Sequence, residues 1–210
     1  MNRRDFGRAL SVAALASPFS QAAKPARIAA HRPSDPVGYV KAVFSYPPTS
    51  RLREESYYSW PGSSFDAEGR QKEYTAALLR IAGELNLRLE IEPRPLDTME
   101  DAERFIAAAR DARPDGLLLI PFKKSHWPAV VRVVEETRRP TIVMATLGVV
   151  LVEHINQLHR APGVYLINSL EDFEAVGFGL RLIRTARWMN DSRLLNIAGQ
   201  TGPDCRPQTF

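Results

Sequence analysis

From residue 37 to residue 199, apolar runs of strand length alternate with stretches whose apolar residues recur every three or four positions. This switching of period constrains the fold more than any other feature, because a period of two suits a strand and one near 3.6 suits a helix. "VGYVKAVFSY" (Val37 to Tyr46) predicts a first strand from its β-branched and aromatic content. Tyr74, Leu78, Ile81 and Leu85 share one helical face and predict a helix over Asp66 to Asn86. "LRLEIEP" alternates from Leu87 to Glu92, as a strand with one wetter face does. Asp97 or Thr98 can cap a helix bearing Met99, Ala102, Phe105, Ile106 and Ala109 on one side. "DGLLLIPF" and "PTIVMAT" are continuous apolar runs, the pattern of strands buried on both faces. Trp127, Val130, Val131 and Val134 mark a helix between them. Val149 to Arg160 reads as a helix, "GVYLINS" as a strand, Leu170 to Met189 as a long helix and "RLLNIAG" (Arg193 to Gly199) as a sixth strand.

Strand and helix therefore alternate and end on a strand, which argues a parallel sheet with helices on both faces. The expected fold is α/β: a three-layer sandwich around an open, mostly parallel sheet, of flavodoxin-like or periplasmic-binding-protein-like type. A closed eight-stranded barrel is disfavoured, because only six strands are offered.

The segments outside this pattern read differently. "NRRDFGRALSVAALASPFSQAA" has a basic start, a mildly apolar run from Ala9 to Ala16, and small residues at Ser20 and Ala22 suited to cleavage before Ala23. That is the make-up of a secretory signal over residues 1–22. Arg3-Arg4 followed by Phe6 resembles the twin-arginine type, from which Gly7 departs. Export to the periplasm with removal of the leader is the expectation. No apolar run reaches the ~20 residues of a membrane span. Residues 23–36, rich in Pro, Ala and charge, read as a linker, 37–199 as the α/β domain and 200–210 as an irregular tail. Cys205 is the sole cysteine, so no internal disulfide forms. This fits a protein folded before export, with a core that needs no staples. The chain carries a formal charge of +4, of which three Arg and one Asp of the leader account for half. Its Lys and Arg are scattered and no nucleic-acid module is present, so a nucleic-acid partner is excluded.

In open sheets of this kind ligands bind beyond the carboxyl ends of the strands. That rule selects Tyr46 after the first strand, Lys123 and His126 after the third, Thr146 after the fourth and Asn168 after the fifth. The connection from Tyr46 to Ser64 shows no helix or strand of its own, and loops longer than about 12–15 residues are commonly functional. It holds Tyr57, Tyr58, a Trp60-Pro61-Gly62 turn and Phe65, and leads into Asp66, Glu68 and Arg70. On one reading Trp60 anchors a rim loop whose aromatics stack on a ring-bearing ligand while Asp66 and Arg70 bond its polar edge. On the other, the aromatics pack the loop onto the sheet and Asp66 and Glu68 only serve the helix start. In "PFKKSHWP", Lys123 or His126 meets a ligand, or Ser125 merely caps the helix that His126 and Trp127 open. No Gly-rich phosphate loop, G-x-S-x-G elbow or metal-ligand spacing occurs in the sequence.

"FSYPPTSRLREESYYSWPGSSFDAEGRQKEYTAAL" and "DGLLLIPFKKSHWPAVVRVVEETRRPTIV", together with the leader, resemble exported proteins related to the L-fucose and L-arabinose isomerases. The resemblance spans about Val37 to Gly199 and rests on order and local wording. It implies an N-terminal α/β domain that helps shape a sugar site or a subunit interface, in a possible homo-oligomer. It places the metal-binding Glu, Asp and His in later domains, so Mn²⁺ enters only with those, no cofactor is expected in this chain, and no catalytic residue is carried over. Carbohydrate is the expected small-molecule partner. The polar stretch after Gly199 leads to the expectation that this is part of a longer isomerase-like protein. A periplasmic sugar-binding module without catalysis is the alternative.

Overall fold

Each apolar run from Val37 to Asn168 forms a strand, and all five strands pair in parallel. The computed structural model describes residues 37–54, 65–146, 152–169 and 171–192. The strands are β1 (Gly38–Ser45), β2 (Leu87–Ile91), β3 (Gly116–Pro121), β4 (Thr141–Ala145) and β5 (Val164–Asn168). They form one open sheet in the order β2-β1-β3-β4-β5. The helices are α1 (Thr49–Glu54), α2 (Ala67–Glu84), α3 (Met99–Ala112), α4 (Trp127–Thr137), α5 (Val152–Leu158) and α6 (Phe173–Asp191). The expected leader, linker, sixth strand and tail lie outside the described residues, as does Tyr57 to Ser64 with Trp60.

Adjacent strand residues point to opposite faces, so β1 serves two cores. Val40, Ala42 and Phe44 pack with Tyr74, Leu78 and Ile81 of α2 and Val176, Leu180 and Ile183 of α6. Val43 packs with Phe105 and Ile106 of α3 and Trp127, Val130 and Val133 of α4. Leu158 of α5 joins this second layer. β3 and β4 are buried along their whole length, as their unbroken apolar runs require. The result is a three-layer α/β sandwich. The step from β1 leftward to β2 carries α2 on one face, while the steps rightward to β3, β4 and β5 carry α3, α4 and α5 on the other. A single crossover hand produces all four placements.

The wetter face of β2 has a specific cause. Lys41 on β1 is 5% exposed. Its ammonium lies 2.6 Å from Glu90 and 3.4 Å from Glu92. The alternating carboxylates of "LEIE" neutralise a lysine that the sheet buries.

Helix starts follow local chemistry. Asp66 accepts from the Gly69 N–H at 3.0 Å and caps α2. Of the two cap candidates for α3, Thr98 is the cap, in a reciprocal capping box with Asp101. Two expectations are corrected. The Tyr46–Ser64 connection does hold a helix, the six-residue α1, whose one buried side chain is Leu52. Ser125 does not cap α4: a 3-10 turn at Lys124–His126 runs into Trp127, Pro128 occupies the first turn, and no side chain caps the start.

Gly116 opens β3 where α6 crosses closest. A Cβ there would lie 2.4 Å from Cδ1 and 2.9 Å from Cγ1 of Ile183. Gly116→Ala should cost about 1–3 kcal/mol by overpacking, read as a lowered urea midpoint with an unchanged slope. A variant as stable as the parent would show that the α6 contact is loose.

Candidate functional site

In the order β2-β1-β3-β4-β5 the chain reverses direction between β1 and β3, and this switch point is where doubly wound sheets hold ligands. Its floor is aromatic. The Phe122 ring, just past β3, meets Phe44, Tyr46, Phe65 and Tyr74 with centroids 5.4–5.5 Å apart. Tyr46 stacks on it, while Phe65 and Tyr74 present edges, the offset arrangements that ring quadrupoles favour. Tyr46 is thus only 3% exposed, and its hydroxyl donates to Gln71 Oε1. Burial, with Glu68 and Asp66 nearby, pushes the phenol up to about 12, so it remains a neutral donor.

Polar groups ring this floor. Asp97, in the turn after β2, pairs with Arg51 of α1. The same carboxylate oxygen lies 3.3 Å from His126 Nε2. His126 Nδ1 lies 3.3 Å from Ser125 Oγ. One carboxylate therefore joins groups that follow β1, β2 and β3. Burial pulls His126 below the ordinary imidazole value, Asp97 pulls it up and Lys123 pulls it down, with the net shift downward. The ring is neutral at pH 7 and can hand a proton either way. Asp97 is itself held in place by its neighbour in the capping box: the Asp101 carboxylate accepts from the N–H of Asp97 at 3.2 Å and of Thr98 at 3.1 Å.

A second tie joins α1 to α2. The Thr49 N–H donates to Glu68 at 3.0 Å, its hydroxyl donates to the same carboxylate, and that hydroxyl accepts from the Ala67 N–H at 2.9 Å. Burial would raise the Glu68 carboxyl, but the Thr49 hydroxyl and amide bonds lower it overall. Arg70 reaches Glu171, before α6, at 2.9 Å, and Glu73 at 3.1 Å.

The eight residues selected from the sequence are thus placed unequally. Tyr46, Asp66, Arg70, Lys123 and His126 gather at the ends of β1 and β3. Asp66 is exposed and occupied as a cap, and Arg70 is half-buried between two carboxylates. Thr146 is buried after β4 and Asn168 exposed at the end of β5, one and two strands away from the switch. Trp60 is outside the described residues. Sequence reasoning missed Arg51 and underrated Asp97, since their meeting depends on the fold. Among the described residues no group of three His, Cys, Asp or Glu could hold a metal ion, and no helix is long and apolar enough to cross a membrane. The chain matches no model of a known protein family and no curated protein.

The pH dependence of this rim follows from Asp101, whose side chain is 4% exposed. Burial would raise its carboxyl, but Arg104, the Thr98 and Asp97 N–H groups and Arg94 bring it from 3.8 to about 2. A depressed carboxyl stabilises the fold above its unfolded value and loses that contribution as pH falls through 3.8 toward 2. The contribution is about 2 kcal/mol. Asp101→Asn should therefore be less stable than the parent by about that amount at pH 6, with the gap closing below pH ~3. A gap independent of pH in denaturant titrations would contradict the assignment.

Proposed function

We propose that this domain binds a hydroxyl-rich small molecule, a carbohydrate, on the rim beyond β1 and β3. The observation that carries the proposal is the Arg51–Asp97–His126 grouping at the topological switch point. A sugar hydroxyl both donates and accepts. A carboxylate, a guanidinium and a neutral imidazole held together offer an acceptor, a fork of donors and a group that does either. Lys123, Asp66 and Arg70 lie at the same strand ends and extend the polar surface. Thr146 and Asn168 belong to a longer ligand or to none. In this reading the chain is the N-terminal α/β part of an exported protein of sugar-isomerase type. Turnover, with any divalent metal it uses, would then rest on residues beyond those described. A periplasmic sugar-binding module uses the same rim without turnover.

One α/β lobe presents half a cleft, so affinity for a free sugar should be weak, with Kd of millimolar order. Calorimetric titration with aldoses should give such binding, and Asp97→Asn should reduce it about tenfold or more, since the neutral amide loses its charge pairing with Arg51 and its hold on the His126 ring. Binding that Asp97→Asn leaves intact would remove the rim from the account. Ketose formation by this chain alone, with or without Mn²⁺, would show that the catalytic groups lie within it.

A further inference from the structure

The Ser125 hydroxyl caps nothing at the start of α4, yet its Oγ lies 3.3 Å from Nδ1 of His126. Across the ring, His126 Nε2 lies 3.3 Å from Asp97 Oδ1. A carboxylate only accepts, so Nε2 carries the proton and donates it to Asp97. Nδ1 keeps its lone pair and accepts from the Ser125 hydroxyl. A hydroxyl, a neutral imidazole in the accepting tautomer and a carboxylate that orients the ring thus stand in line. That arrangement turns a serine into a nucleophile, and it is recognised by geometry and roles rather than by chain order. Both contacts are longer than an ideal hydrogen bond, as such contacts commonly are before a substrate binds.

The surroundings suit each role. Ser125 is exposed on the turn from β3 into α4, at the carboxyl end of the sheet. His126 is 8% exposed, so packing holds its ring and keeps water off it. Asp97 is fixed by Arg51 at its carboxylate and by Asp101 at its N–H. No described side chain caps the 3-10 turn or α4, so the amide N–H groups of that first turn are left to serve a developing oxyanion. Lys123 and Lys124 add positive charge on the same turn. At the other end of the sheet, the open groove of about 290 Å³ beside Gly163 and Leu182 is lined by no Ser, His or carboxylate and offers no such chemistry.

We propose that Ser125, His126 and Asp97 act as nucleophile, general base and orienting carboxylate in the hydrolysis of a small acyl ester at the switch point. The Ser125 oxygen attacks the ester carbonyl carbon, the carbonyl π pair moves onto oxygen, and the hydroxyl proton passes to His126 Nδ1. Asp97 stabilises the imidazolium so formed. As the bond from carbon to the alkoxide breaks, the alkoxide takes the proton from Nδ1 and leaves as the alcohol. Water then attacks the acyl-serine in the same way, giving the carboxylic acid and restoring the hydroxyl. That the alcohol is a sugar rests on the carbohydrate reading of the rim; the acyl transfer rests on the three side chains alone.

Hydrolysis of p-nitrophenyl acetate by the full chain tests the chemistry apart from the sugar. The parent should exceed Ser125→Ala about a hundredfold or more in rate. Ser125 is exposed, so this variant should keep the parent's circular dichroism spectrum. The rate should rise with pH through a midpoint below 6.5 and then level off, because only the neutral ring takes the proton and burial holds His126 below that ordinary value. A fluorophosphonate should attach to Ser125, read by peptide mass mapping, and should not attach in His126→Gln. A parent no faster than Ser125→Ala, a rate that does not fall in acid, or a label on another residue would overturn the proposal. Sugar binding without ester hydrolysis would overturn the proposal and leave the carbohydrate reading standing. Hydrolysis of p-nitrophenyl acetate but of no O-acetylated aldose would support the three side chains and remove the sugar from their substrate.

Discussion

The hand of the strand-to-strand crossover places nearly everything in this molecule. Because one hand serves both directions of travel, the leftward step from β1 to β2 sends α2 to one face and the rightward steps send α3, α4 and α5 to the other. With α6 joining α2 on its face, packed against Gly116 of β3 and Ile142 of β4, both faces of β3 and β4 are covered, and a parallel sheet needs that cover to exist in water. The reversal between β1 and β3 opens the switch point. Among the described residues β2 and β5 are the outermost strands.

What the rim groups contribute is position more than stability. Stability resides in the two apolar layers and in Phe122, which joins four other rings under the switch point. Exposed ion pairs such as Arg70–Glu171 are worth at most about 1 kcal/mol. Their value is to fix which helix starts face one another. Thr49 and Glu68 hold α1 against α2, and Asp101 sets the turn that carries Asp97. Asp97 in turn holds Arg51 and His126, so a mutation in the α3 capping box should be felt across three strand ends.

The fold was legible where a single pattern ran unopposed. The apolar runs of β3 and β4 and the Tyr74–Leu78–Ile81 face of α2 announced their elements, and Thr98 lay where a cap belongs. Shorter features were not legible. α1 spans six residues with one buried side chain, too few to set up a period. Ser125 looked like a cap because it precedes an apolar face, yet the 3-10 turn and Pro128 start α4 without it. The site was visible only as a rim. His126 was chosen for its strand end, but its partner Asp97 lies 29 residues away and the other arm, Arg51, 46 residues from Asp97. Only the pairing of β1 with both β2 and β3 brings them together.

The central claim is a location, so the decisive measurement reports location. Backbone amide shifts of the ¹⁵N-labelled chain, followed during titration with an aldose, map where the ligand rests without assuming any activity. The account predicts that the perturbed amides centre on Arg51, Asp97 and Lys123–His126, at the carboxyl ends of β1, β2 and β3. Perturbations centred on the groove beside Gly163 and Leu182, or none at saturating sugar, would contradict it.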